Sequence, residues 1–112
     1  MEERMLVNEE KLLDQLDNDR DFFKEMLNEF EQFTVQQLDE LDTAIAADNH
    51  VEVRSLAHSI KGAAANLFIE RLSDEARTLE YMVRDGQLAG AAEVLGSIRK
   101  EFERLKSYIT GL

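Results

Sequence analysis

The chain has no proline, no cysteine and no tryptophan, and only five glycines in 112 residues. Average usage of about 5 % would place roughly five or six prolines in a chain of this length. Proline punctuates loops and is excluded from helix interiors, so its absence points to long helices joined by short links. Absent cysteine removes disulfide frameworks, thiolate zinc sites and cysteine nucleophiles together. No apolar run approaches the ~20 residues needed to cross a bilayer. Glu2 and Glu3 directly after Met1 are unlike the basic opening of a secretory signal. A soluble, cytoplasmic protein without membrane attachment is expected.

Against these absences stand an apolar content of 44 % and a strong negative charge. That apolar fraction is enough for one core, and the length fits a single domain over residues 1–112. The net charge, 13 − 24 = −11, is unevenly placed. Residues 1–50 carry 15 acids and 4 bases, whereas residues 51–112 carry 9 of each. An acidic half disfavours nucleic acid as a partner, because phosphate binding needs clustered Lys and Arg. It reads as a solvated helical face. The exception is more informative: residues 53–69 contain no acid, only Arg54, His58 and Lys61.

Hydrophobic periodicity predicts five helical segments. The first covers about 8–16, with Asn8 as N-cap and Val7 before it able to staple onto Leu12. Asp17, Asn18 and Asp19 supply a break and a new cap for a second segment over about 20–47. Its stripe is Phe23, Leu27, Phe30, Leu38, Leu41 and Ile45. Asp48 and Asn49 end that helix and cap a third over about 50–68. The fourth, about 70–85, repeats Leu72, Ala76, Leu79 and Val83, and Gly86 follows where a left-handed C-terminal residue is favoured. The fifth, about 87–110, has Leu88, Ala91, Leu95, Ile98, Phe102, Leu105 and Ile109 alternating by three and four, a bundle-type seam. Short links force neighbouring long helices to run antiparallel. The expected fold is all-α, an up-down-up-down four-helix bundle with the short first helix across one end.

The third segment carries the functional argument. Its core stripe is Val53, Leu56, Ala57, Ile60, Ala64 and Leu67, and at about 100° per residue His58 lies roughly 150° away from the stripe's centre. His58 is therefore expected to face solvent, with Arg54, Ser55, Lys61 and Gly62 as its neighbours one turn away. Gly62 costs about 1 kcal/mol relative to alanine inside a helix and caps nothing. One turn from an exposed imidazole it leaves room for another protein to approach closely. Ala63, Ala64 and Ala65 keep the surroundings small, while Lys61 and Arg54 favour an anion at the ring. An exposed, sterically open histidine among cations suits phosphoryl acceptance.

The string His58-Ser59-Ile60-Lys61-Gly62-Ala63-Ala64-Ala65-Asn66 resembles the signature of histidine-containing phosphotransfer (HPt) domains, as do residues 54–57, Leu72, Leu79-Glu80 and the five-helix layout. The resemblance implies a phosphoryl carrier of two-component phosphorelays without catalytic machinery of its own. His58 would accept a phosphoryl group on Nε2 from the phospho-aspartate of a receiver domain and pass it to another receiver. By the same resemblance Lys61 steadies the phosphoryl oxygens and Gly62 makes room for the receiver's active site. Arg54 and Ala65 join the docking surface. No cofactor or metal is implied on this chain, since Mg²⁺ belongs to the receiver. Phe68 departs from the family, which has glycine ten residues after the histidine, and Phe68 is expected to pack against the fourth helix instead.

Other readings frame this one. A carboxylate-bridged di-metal bundle needs Glu-x-x-His on two helices, and Ala47 and Ser55 stand where those glutamates would be. A helical binding module that carries no phosphate, and the phosphoacceptor domain of a chemotaxis-type histidine kinase, both stay open. His50, at a helix start without companions, reads as an ordinary surface residue. The six phenylalanines and four methionines read as core filling, and Glu80 with Arg84 as an exposed i,i+4 pair. The starting methionine and short length favour a free-standing protein, and the resemblance favours a monomer.

Overall fold

A computed structural model describes residues 6–112. The described residues form five helices: α1 Glu9–Gln15, α2 Arg20–Ala46, α3 His50–Asn66, α4 Glu70–Arg84 and α5 Ala91–Thr110. No strand occurs among them.

The first three helix starts are set by the predicted caps. The side-chain oxygen of Asn8 accepts from the Lys11 amide, that of Asp19 from Phe22, and that of Asn49 from Glu52. Each bond satisfies one of the amides that the first turn of a helix leaves without a partner. The links between α1, α2 and α3 turn tightly because Asp17, Asn18 and Asp48 adopt left-handed backbone (φ 53°, 60° and 53°), a conformation that Asn and Asp tolerate better than most residues.

Two boundaries differ from the periodicity. The last helix begins at Ala91, not near residue 87. Gly86 does take the left-handed conformation (φ 80°), but the chain then turns through residues 87–90 before the helix starts. Leu88 is half-buried against the core without being helical, which is how the apolar repeat ran on through a turn. At its other end α3 stops at Asn66, and Phe68 has φ 56°. A phenylalanine there is strained where glycine is not. Its ring is half-buried against the core, and its carbonyl accepts from the Asn8 amide, so the start of α1 is tied to the turn between α3 and α4.

α2 packs on α3, α3 on α4, α4 on α5, and α5 returns to α2, so that the four long helices close a ring. One hydrophobic core fills it. The predicted stripe of α3 is buried in full, from Val53 to Leu67, and those of α4 and α5 are buried apart from half-buried Leu88. On α2 Ala44 is buried and Ile45 only partly, and Thr34 fills the gap between Phe30 and Leu38. Aromatic residues are less uniform than expected: Phe23, Phe30 and Phe102 are buried, but Phe22 and Phe33 are exposed. Met26 and Met82 pack against the core, while Met1 and Met5 lie outside the described residues.

Candidate functional site

His58 projects from the middle of α3, and its side chain is 66 % exposed. The core stripe sits on the opposite side of the same helix, so the packing that buries Ala57 and Ile60 also fixes the direction of the imidazole outward. Arg54, Gly62 and Ala65 are exposed on α3 with it, and Lys61 is partly covered. A Cβ added at Gly62 would meet nothing within 4 Å. The fold itself therefore has no use for a glycine there.

The structure adds a residue that the sequence reading placed elsewhere. Glu80 of α4 is buried, not an exposed partner of Arg84. One carboxylate oxygen, Oε2, lies 2.8 Å from His58 Nδ1, and the other, Oε1, lies 2.7 Å from Lys61 Nζ. Arg84 instead donates to Asp85 and lies over the Tyr81 ring. Glu80 stands four residues after Ala76, about 40° from it around the helix. It thus occupies an edge of the apolar stripe, and a carboxylate in that position was the available signal. Lys61 also lies 5.8 Å from the Tyr81 ring centroid.

The electrostatics of this trio follow from the geometry. Burial pushes the Glu80 carboxyl up, but the hydrogen bonds and charges of Lys61 and His58 outweigh it and hold the group below the usual carboxylate range. An ionised carboxylate can only accept. His58 Nδ1 must then carry the hydrogen, and in neutral imidazole the Nε2 lone pair is left free. The acid-free window of residues 53–69 is thus acid-free in sequence but not in space. Ser73 Oγ donates to the Lys61 carbonyl at 3.1 Å and ties α4 to α3 beside the trio.

His50 opens α3 at its exposed end, apart from these groups. Among the described residues no cluster of three or more His, Cys, Asp or Glu is placed to hold a metal ion. No helix of the described residues is long and apolar enough to cross a membrane.

The site is thus an exposed imidazole on an all-helical scaffold, with one ring nitrogen held by a buried carboxylate and the other open to solvent. The sequence matches the Hpt domain family over residues 25–108, and the chain belongs to that family, the histidine phosphotransfer modules of two-component phosphorelays. Histidine-containing phosphotransfer protein B (HptB) from Pseudomonas aeruginosa PAO1 has a similar crystal structure. The TM-score is 0.89 over 97 % of this chain and 95 % of that chain, at 22 % sequence identity, a likeness of fold. No curated protein matches the sequence.

Proposed function

We propose that the chain is a phosphoryl carrier in which His58 Nε2 accepts the phosphoryl group of a receiver domain's phospho-aspartate and passes it to a second receiver. The observation that carries this reading is the 2.8 Å contact between His58 Nδ1 and the buried Glu80 carboxylate. In the transfer, the Nε2 lone pair forms the N–P bond as the aspartyl O–P bond breaks, and that bond's electrons return to the aspartate. Positive charge then develops on a ring whose Nδ1–H already faces an ionised carboxylate, which stabilises the product.

Lys61, anchored by Glu80, steadies the phosphoryl oxygens from the C-terminal side of the ring. Gly62 and Ala65 give the receiver close approach, and Arg54 contributes to docking. The chain carries no cofactor or metal of its own, and the Mg²⁺ of the reaction sits on the receiver. Residues 1–112 act as a single domain whose four long helices run up-down-up-down behind the short α1, as a monomer in the cytoplasm. The partners are response-regulator receivers or a histidine kinase.

Incubation with a phosphorylated receiver should place an acid-labile, base-stable label on the wild type and none on His58→Gln. A label that persists in His58→Gln removes His58 as the acceptor.

A further inference from the structure

The two cations beside His58 differ in one respect. Lys61 is already neutralised by Glu80 at 2.7 Å, and moving it away would leave a buried carboxylate oxygen without a partner, which is costly. Arg54, one turn before His58 on α3, is exposed and has no ion-pair partner among the described residues. On the Arg54 side of the ring the surface is not flat. An open pocket of about 400 Å³ is lined by Val51, Arg54, Ser55, His58 and Glu80, and Lys61 does not line it.

A phosphoryl group on imidazole is a doubly charged anion with three strong acceptor oxygens. A guanidinium presents a planar fork of donors that matches such oxygens in pairs, and at i,i+4 spacing it reaches a group on the neighbouring turn. The Ser55 hydroxyl, on the wall of the same pocket, supplies one more donor.

We propose that the phosphoryl group carried by His58 lodges in this pocket and that the Arg54 guanidinium is its principal cationic partner, with Lys61, already paired with Glu80, contributing the smaller share. This rests on the reading of His58 as the phosphoacceptor. Arg54 thereby becomes a phosphoryl-binding residue and not only part of a docking surface.

The test needs no protein partner. Phosphoramidate phosphorylates the full chain directly, here with His50→Gln so that His58 is the single histidine: the Nε2–P bond forms as the P–N bond of the reagent breaks and ammonia leaves. The titration of the bound phosphoryl group is then followed by ³¹P NMR. A guanidinium about 5 Å away holds the dianion at lower pH, so Arg54→Gln should raise the titration midpoint by about half a pH unit. Arg54→Lys should recover part of the shift, and Lys61→Ala should move the midpoint less than Arg54→Gln. An unmoved midpoint in Arg54→Gln, or a larger movement in Lys61→Ala, overturns the assignment while leaving His58 as acceptor. In a His50→Gln background, which leaves a single histidine, a label that survives His58→Gln overturns both. Arg54 is exposed, so its replacement leaves the core untouched.

Discussion

Glu80 and Glu101 are both buried carboxylates, on adjoining helices, each within ion-pair distance of two basic side chains. Glu101 Oε1 lies 3.0 Å from Arg71 and 3.2 Å from Arg104, and so joins α5 to α4 and to its own next turn. Glu80 divides its two oxygens between Lys61 and His58. The difference lies in the partners. Two guanidiniums are permanently charged and have no lone pair to offer, so the Glu101 cluster can only hold helices together. Replacing one of the two cations by an imidazole turns the same device into one that orients a ring: the carboxylate takes Nδ1–H, and Nε2 is left outside. A buried ion pair adds little to stability by itself. What the Glu80 cluster adds is a defined tautomer and ring direction at an otherwise exposed side chain.

That comparison can be broken most directly at the two glutamates. Glu80→Ala should slow phosphoryl transfer by a factor on the order of 10 to 100, because the ring loses its fixed orientation. Glu101→Ala should leave the transfer rate unchanged and lower stability by about 1–2 kcal/mol, since Arg71 and Arg104 lose a shared acceptor. Stopped-flow or quenched transfer from a phosphorylated receiver, run beside urea denaturation, separates the two. Equal effects on rate would remove the distinction.

A steric counterpart comes next in size. Gly62 on α3 and Gly96 on α5 are both exposed, and an added Cβ would meet nothing within 4 Å at either. Gly62→Gln should slow transfer about tenfold, equivalent to ~1.4 kcal/mol at the docked interface. Gly96→Gln should leave it unchanged, and both should keep full helicity by circular dichroism. If the two glycines behave alike, clearance at Gly62 is not what the receiver needs.

The smallest effect is in pH. Folding holds the Glu80 carboxyl below its ordinary value of 4.5. A carboxyl depressed in this way binds protons less readily in the folded state than in the unfolded one. Its contribution to stability is therefore complete above about that ordinary value and is lost as pH falls through the lower folded one. Denaturation midpoints of wild type and Glu80→Gln should converge across that acidic range. A gap that stays constant down to pH 2 would mean that Glu80 is not held ionised by His58 and Lys61.

Much of this was legible in the residues. Asn8, Asp19 and Asn49 marked three helix starts because an N-cap needs only its own side chain and the next turn's amides. The α3 stripe and the outward His58 followed from a period of 3.6, which local packing respects. The boundary near residue 91 was missed because Leu88 packs like a helical residue from within a turn, and periodicity reports burial, not backbone. Phe22 and Phe33 were missed for the converse reason: hydrophobicity favours burial without compelling it.

Taken alone, the sequence determined the helices, their caps, the buried stripes and the exposed histidine with its neighbours on α3, since all of these depend on contacts within one or two turns. It also carried the signature string by which the family is known. Only the tertiary structure decided which acid faces the imidazole. Glu80 lies 22 residues away along the chain, and its charge looked like any other on an acidic surface. Packing α4 against α3 buried it, and burial among two donors is what changes a solvated carboxylate into one that fixes a tautomer.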